Sequence, residues 1–287
     1  MKDITISRRS LLVSAGLLAL APLAGCGGNS GSGSAAAGSD YTVGILQLTE
    51  HSALDAANDG FVKAIKKSGL KVKIDQKNAQ NDQSTCKSIA DKFVGDGVDL
   101  IYAIATPAAQ AAAGATADIP IVGCAITDYA ASGLVQDNDK PGTNVTGASD
   151  LTPVAEQLEM MQKVLPDVKK VGLLYCTAES NSDVQIKAAK KELDKLDLEY
   201  TDFTVSSSNE IQSVVESAVG KVDALYSPTD NTIAAGASQV GQICKENKLP
   251  YVTGEEGMCM AGGLFTLSIN YEDLLRRGRD GRQDPEG

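Results

Sequence analysis

The polar residues of this 287-residue chain that could bind a ligand follow apolar runs that are typical of buried strands. In open parallel sheets, ligands bind beyond the carboxyl ends of the strands. In the first half of the chain, this rule selects Glu50, His51, Thr106, Thr127 and Asp128. In the second half, it selects Thr177, Asn181, Ser182, Thr229, Asp230, Asn231, Glu255 and Glu256. If the two halves face each other, these side chains converge on one cleft.

The chemistry of this cleft favours a zwitterion, a molecule that carries both a carboxylate and an ammonium group. Predicted helices begin near the cleft, and the free N–H groups of their first turns attract a carboxylate. The first residues of these helices are Ser52, Pro107, Ser182 and Ile233. Asp128 and Asp230 could pair with an ammonium. The pattern therefore predicts a free α-amino acid as the ligand. The alternative is that these residues are helix caps and turn residues, and His51 fits either interpretation.

The usual signatures of catalysis, metal binding and nucleic-acid binding do not occur in the sequence. It contains one histidine, no GxSxG, no GxxxxGK[ST] and no CxxC pattern. A multi-histidine metal site is therefore excluded, and no nucleophile with a positioned base is evident. The formal charge of −11 argues against binding to nucleic-acid phosphates. We expect a small-molecule ligand, with no catalytic residue, no metal and no cofactor.

The cysteines leave one question open. Beyond Cys26, an odd number remains, so at least one thiol is unpaired: Cys86, Cys124, Cys176, Cys244 and Cys259. Cys124 and Cys176 lie in or beside predicted strands and are interpreted as small apolar residues. Cys244 and Cys259 belong to neighbouring elements, so both a disulfide and two free thiols are compatible with the sequence.

Short apolar runs alternate with helical patterns from residue 41 onward, which predicts an α/β fold with parallel strands. Residues 171–174 repeat the pattern of residues 43–46, and residues 222–226 repeat that of residues 98–102, each about 125 residues later. We therefore predict two doubly wound, Rossmann-like lobes, over residues 41–149 and 150–271. The connection at residues 149–152 is the candidate hinge. The second half also predicts one helix over residues 233–246 and a last strand over residues 263–269.

Residues 1–25 have the pattern of an export signal. Arg8 and Arg9 precede an apolar run over residues 11–23, which is too short to span a bilayer core of about 30 Å. The paired arginines resemble a twin-arginine motif, and an ordinary secretory signal stays open. Residues 23–26 resemble a lipobox, which predicts a diacylglycerol on the Cys26 thiol and a flexible tether over residues 26–40. We expect an exported monomer, held on the outer face of the cell membrane by its lipid.

Several motifs carry a resemblance to a known family. They cover residues 50–55 (EHSALD), 103–110 (AIATPAAQ), 144–147 (NVTG), 149–153 (SDLTP), 181–182 (NS) and 228–232 (PTDNT). With these motifs, residues 41–271 resemble the tryptophan/tyrosine-type substrate-binding proteins of ABC importers. The resemblance implies a type I periplasmic-binding-protein fold that closes on an amino acid, often an aromatic one, and delivers it to an ABC permease.

By position, the resemblance places six residues in the ligand pocket: Glu50, Thr106, Asp128, Asn181, Asp230 and Asn231. We assign the ligand's carboxylate to the helix start near Thr106, with Asn181 as a second candidate. We assign its ammonium to Asp128 or Asp230. A secreted α/β enzyme such as a hydrolase, and a sensory lipoprotein, are the alternative functions.

The tail over residues 272–287 differs from the family pattern. There the resemblance implies a helix that packs on lobe 1, followed by a last strand. This chain instead has the basic, glycine-rich stretch LRRGRDGR over residues 275–282. We interpret it as a frameshifted or truncated end, and we expect an apolar patch on lobe 1 and reduced stability as the result.

Overall fold

The computed structural model describes residues 40–271. The predicted export signal, Cys26, nearly all of the tether and the atypical tail lie outside this range. A search of the described helices for one that is long and apolar enough to cross a membrane finds none.

The first sheet has five parallel strands and forms lobe 1. Its elements are β1 (Tyr41–Gln47), α1 (Ser52–Ser68), β2 (Val72–Asn78), α2 (Gln83–Gly95), β3 (Leu100–Ile104), α3 (Thr106–Ala115), β4 (Ile121–Ile126) and β5 (Val145–Ser149). The strand order is β2-β1-β3-β4-β5. Every strand pair in this sheet is parallel, as the alternation of strands and helices predicts.

The second sheet has four parallel strands and forms lobe 2. Its elements are α4 (Val154–Val164), β6 (Lys170–Cys176), α5 (Ser180–Lys195), β7 (Glu199–Val205), α6 (Ile211–Ala218), β8 (Ala224–Ser227), α7 (Asn231–Ala235), α8 (Ala237–Glu246), β9 (Tyr251–Thr253) and α9 (Glu256–Met260). The strand order is β7-β6-β8-β9. The predicted fold class, two doubly wound α/β lobes, is confirmed.

The apolar patterns of the sequence explain why these elements form. In α1, the buried residues Ala53, Leu54, Ala57 and Phe61 recur at helical spacing, and Gly69 ends the helix in the left-handed conformation. The continuous apolar run of β3 is buried, as expected for a parallel strand that is covered on both faces. The repeated sequence patterns lie in the paired strands β1 and β3 of lobe 1 and β6 and β8 of lobe 2.

Two of the predicted elements differ from the structure. The helix expected over residues 233–246 is divided at Gly236 into α7 and α8. A Cβ at Gly236 would lie 2.5 Å from Ile211 Cδ1, so the close packing there requires a glycine. The strand expected over residues 263–269 is not a strand: only Phe265 forms an isolated bridge, to Val252. Gln157 Nε2 donates a hydrogen bond to the carbonyl oxygen of Leu267 in this segment at 2.7 Å.

Within residues 40–271, the chain crosses between the lobes twice. The first crossover follows β5 and leads into α4 through residues 150–153. After α9, Phe265 packs on the core of lobe 2, whereas Ile269 and Tyr271 pack on the core of lobe 1, so the chain crosses back between them. The Tyr271 hydroxyl donates a hydrogen bond to Asp150 Oδ2 at 3.0 Å, which joins the two crossovers.

Candidate functional site

A small enclosed pocket lies where both lobes and both crossovers meet, with a volume of about 20 Å³. Its lining is mainly polar and comprises His51, Leu54, Ala125, Thr127, Asp150, Asn181, Thr229, Asp230, Asn231, Ala234, Glu255 and Tyr271. An open outer cleft of about 660 Å³ adjoins it, and the two spaces share His51, Ala234, Glu255 and Tyr271. The enclosed part has room for one water-sized group.

The structure brings some of the predicted site residues together and leaves others apart. His51, Asn181, Asp230 and Asn231 all line the enclosed pocket. Glu50 is exposed and lines the outer cleft. The rule of strand ends therefore places residues from distant parts of the sequence around one space, such as His51 and Asn231, which lie 180 positions apart and are hydrogen-bonded.

Asp128 lies outside this lining and serves a local turn. Its Oδ1 accepts a hydrogen bond from the backbone N–H of Ala131 at 2.9 Å and one from Asn138 Nδ2 at 3.1 Å. Both bonds are local, so the carboxylate organises its own loop. The structure therefore gives no support to the ammonium role predicted for Asp128.

Thr106 stands at the start of α3 and is almost completely buried. Its Oγ1 has no hydrogen-bond partner among the described residues. The preceding residue, Ala105, has φ +83°, a left-handed value that costs energy for a residue with a Cβ. One turn later, Gln110 Nε2 donates to Ser180 Oγ of lobe 2 at 3.2 Å. The start of α3 thus faces the other lobe, although Thr106 is not in the lining of the enclosed pocket.

Asp230 is the N-cap of α7, and its carboxylate is fully engaged. Oδ1 accepts from the backbone N–H of Ile233 at 2.9 Å, and Oδ2 accepts from the backbone N–H of Cys176 and from Ser182 Oγ, each at 2.6 Å. Burial, with a smaller contribution from the charge of Glu179, raises the pKa of Asp230 to about 7. These contacts are those of a structural cap, so the geometry does not favour Asp230 as the partner of an ammonium.

Glu179 organises the lobe 2 side of the pocket. Its Oε1 accepts from the backbone N–H and the hydroxyl of Thr232, each at 2.8 Å. Its Oε2 accepts from the backbone N–H and Nδ2 of Asn231, at 3.1 and 2.7 Å, and from Asn181 Nδ2 at 3.0 Å. Thr177 and Asn181, which lie on either side of this residue, were predicted from the sequence, whereas Glu179 was not. The same rule of strand ends would have included it.

Side chains of the two lobes bind each other across the cleft. His51 Nε2 lies 3.2 Å from Asn231 Oδ1, and Asn81 Nδ2 donates to Thr232 Oγ1 at 2.8 Å. Gln83 Nε2 donates to the carbonyl oxygen of Ala178 at 2.8 Å. Each of these bonds joins a residue of lobe 1 to a residue of lobe 2, so the two lobes are closed on each other within the described residues.

Asp150 lines the pocket but was not selected from the sequence. It follows β5, the last strand of lobe 1, in a segment that was predicted to be a hinge and that carries one of the family motifs. Burial raises the pKa of Asp150 to about 6, although the hydrogen bond from Tyr271 acts in the opposite direction. A signal was present, because Asp150 directly follows the carboxyl end of a strand.

The described residues show five free thiols, at Cys86, Cys124, Cys176, Cys244 and Cys259. A disulfide between Cys244 and Cys259 is therefore not formed. Burial raises the pKa of the Cys124 thiol to about 11, which fits its interpretation as a small apolar residue. No group of three or more potential metal ligands occurs in residues 40–271.

Comparison with known proteins identifies the family. The profile of the family described as ABC transporter substrate binding protein matches residues 42–277, which is most of the chain. The chain belongs to this family. The resemblance inferred from the motifs is thereby confirmed at the level of the family, whose members are solute-binding proteins and not enzymes.

Several individual relatives are similar over most of their length. A tyrosine-binding protein of Clostridioides difficile (strain R20291) is 42% identical over 273 residues, which cover 92% of this chain and 79% of the relative. The structure of the ABC domain from Streptococcus pneumonia in complex with L-Trp is 39% identical, with a TM-score of 0.80 and coverage of 82% and 81% of the two chains. A leucine-binding protein from Thermotoga maritima, 15% identical with a TM-score of 0.61, shares the fold alone.

A further relative indicates the conformational state. The ligand-free, open structure of a substrate-binding protein with adhesive properties from Clostridium difficile is 45% identical, over 83% of this chain and 82% of that chain, but has a TM-score of only 0.59. The less identical L-Trp complex fits better, with a TM-score of 0.80. The structure is thus more similar overall to the L-Trp complex than to the open structure, in agreement with the hydrogen bonds across the cleft.

Proposed function

We propose that this family member is an extracytoplasmic receptor that binds an aromatic amino acid, tyrosine or tryptophan, between its lobes. The observation that carries the proposal is the polar pocket between two closed lobes, in a chain with 42% and 39% identity to a tyrosine-binding and an L-Trp-bound relative. The enclosed space is smaller than either amino acid. We expect the rest of the ligand to extend into the adjoining outer cleft of about 660 Å³. The lobes open to admit the ligand and close around it, and the ligand stabilises the closed state.

Calorimetric titration of the full chain, purified in detergent, with each of the twenty amino acids tests this proposal. We expect L-tyrosine or L-tryptophan to bind with a Kd of about 1 μM or tighter, which corresponds to about −8 kcal/mol. At a hundredfold excess over Kd, the ligand adds about 2.7 kcal/mol to the free energy of unfolding. The melting temperature should then rise by roughly 5–10 °C. Lack of binding by any aromatic amino acid contradicts the proposal.

We also propose that Cys26 carries a diacylglycerol anchor and that the receptor serves an ABC importer. The lipobox-like residues 23–26 support the anchor, and the glycine- and serine-rich stretch that follows is typical of a flexible tether. Two acyl chains give stable anchoring, whereas a single chain gives only marginal binding to a membrane. The family to which the chain belongs supports the importer.

A Cys26→Ala variant tests both parts in cells. We expect the wild-type chain to incorporate labelled palmitate and to sediment with the membrane, and the variant to lose the label and appear in the soluble fraction. Uptake of the labelled amino acid should fall at least severalfold, because the receptor is no longer concentrated beside its permease. Membrane attachment of the Cys26→Ala chain would contradict the anchor, and unchanged uptake by cells without the receptor would contradict the importer role.

A further inference from the structure

Asp150 is a buried carboxylate with one oxygen free. The side chain is 5% exposed, lines the enclosed pocket and follows β5 in the first crossover. Oδ2 accepts the hydrogen bond from the Tyr271 hydroxyl, whereas Oδ1 has no hydrogen-bond partner among the described residues. Burying a carboxylate without a full set of partners is costly, so a ligand that supplies a donor is strongly favoured there.

The other pocket carboxylates do not offer a free oxygen. Glu255 is the N-cap of α9, and its two oxygens accept from the backbone N–H groups of Met258 and Gly257, each at 2.6 Å. Asp230 is engaged by three donors, as described above. Among the carboxylates that line the pocket, only Asp150 has an oxygen without a hydrogen-bond partner among the described residues.

The charges around Asp150 favour a cation. The pocket lining contains three carboxylates but neither lysine nor arginine, and its one basic residue is His51. Burial raises the pKa of Glu255, and the charge of His51 lowers it by a smaller amount. The hydroxyls beside Asp150, those of Tyr271 and Thr127, carry no charge. A positive group entering this pocket meets a net negative surrounding.

Asn181 supplies a second free acceptor from the opposite lobe. It is 3% exposed and lines the same pocket, and its Oδ1 has no partner among the described residues. Its Nδ2 donates to Glu179 Oε2 at 3.0 Å and to the carbonyl oxygen of Thr229 at 3.3 Å. These two bonds fix the orientation of the amide and leave its oxygen available to a ligand. Two acceptors around a water-sized space suit an ammonium group, which has three donors.

We propose that Asp150 binds the ammonium group of the ligand, with Asn181 Oδ1 as a second acceptor. The inference rests on the proposed amino-acid binding and deepens it, because it makes a free amino group a requirement for tight binding. Asp150 lies on the crossover and Asn181 on lobe 2, so both contact the ammonium only when the lobes are closed. The Tyr271 hydroxyl on the second crossover positions the carboxylate. The ligand's positive charge is thus recognised at the hinge.

The test compares two ligands that differ only in the amino group, L-tyrosine and 3-(4-hydroxyphenyl)propanoate, with L-tryptophan and 3-(indol-3-yl)propanoate as a second pair. The proteins are the full wild-type chain and its Asp150→Asn variant, measured by calorimetry. We expect the wild type to bind the amino acid at least 100-fold more tightly than the deaminated analogue. In Asp150→Asn, the amino acid should lose about 100-fold in affinity and this preference should fall below tenfold.

Asp128→Asn is the matched control, because it removes the other carboxylate considered for this role. It should keep the wild-type preference for the amino acid. Asn181→Ala tests the second acceptor independently and should reduce the preference by about tenfold. If neither amino acid binds the wild type, the proposed function fails. If an amino acid binds and Asp150→Asn retains the full preference, the ammonium assignment fails while the proposed function stands.

Discussion

Replacing Gly147 with alanine is expected to destabilise lobe 1 by about 3 kcal/mol or more. Gly147 is the partner of Gly123 in the β4–β5 pair. A Cβ at this position would lie 2.0 Å from the carbonyl oxygen of Gly123 and 2.2 Å from the Tyr129 hydroxyl. The backbone oxygen belongs to the sheet and cannot rotate away, so strand β5 must shift. For a chain of this size, the melting temperature should fall by roughly 6–12 °C.

The same substitution disturbs a buried hydrogen bond. The Tyr129 hydroxyl lies 2.9 Å from the carbonyl oxygen of Gly123 and 3.1 Å from that of Ala148, so it joins the two strands. Moving it aside leaves a buried hydroxyl and two carbonyl groups without this contact. Strand β5 also leads directly to Asp150, and a shifted strand should weaken ligand binding as well as stability.

Gly114→Ala is the control for this experiment. Gly114 is an exposed residue of α3, and a Cβ there would meet no atom within 4 Å. Because alanine is favoured over glycine inside a helix, we expect a gain of about 0.5–1 kcal/mol. Urea unfolding of both variants measures the difference. If the free energy of unfolding of Gly147→Ala lies within 1 kcal/mol of the wild-type value, the strand accommodates the methyl group and the prediction is wrong.

The sequence is most informative about the fold where apolar patterns are long. The run that forms β3 is buried on both faces of the sheet, so almost every one of its residues carries the pattern. The end of lobe 2 is different. Residues 263–269 have a strand-like composition, but they lie in a crossover, where Gln157 Nε2 donates a hydrogen bond to the carbonyl oxygen of Leu267. Such contacts join residues about a hundred positions apart and leave no local pattern.

For the candidate site, the sequence predicts which residues lie together but not what each of them does. The rule of strand ends places Asn181, Asp230 and Asn231 around one pocket. It cannot tell which oxygens remain free, because an N-cap and a ligand contact use the same residue types. Asp230 is distinguished from Asp150 only by its three donors in the fold. The partner of Asp150, Tyr271, comes from the second crossover, 121 positions away, and sequence spacing gives no indication of that contact.

Replacing Glu179 with alanine is expected to reduce both stability and ligand binding. Five donor groups of Asn181, Asn231 and Thr232 would lose their acceptor. Since a buried donor without a partner costs about 1–3 kcal/mol and some of these groups can find water, we expect a loss of about 4 kcal/mol in the free energy of unfolding. Urea unfolding measures this loss.

Ligand binding should fall for a second reason. Asn231 and Thr232 form the contacts to His51 and Asn81 of lobe 1, and Glu179 holds both in place. Without it, the closed state loses two of its contacts between the lobes, and the Asn181 amide is free to turn its oxygen away from the pocket. We expect at least a 100-fold loss of affinity for the amino acid that binds the wild type, as measured by calorimetry.

Two further variants show whether the effects of Glu179→Ala come from its hydrogen bonds in the pocket or from the removal of any glutamate side chain. Glu179→Gln keeps the volume but turns an NH₂ group towards donors, so it should also weaken binding, although it leaves no cavity. Glu210 is the matched control: its carboxylate accepts hydrogen bonds from the backbone and hydroxyl of Ser206 but is exposed to solvent. Water replaces these bonds in Glu210→Ala, which should bind the ligand as the wild type does. If Glu179→Gln also binds like the wild type, Glu179 does not position the pocket.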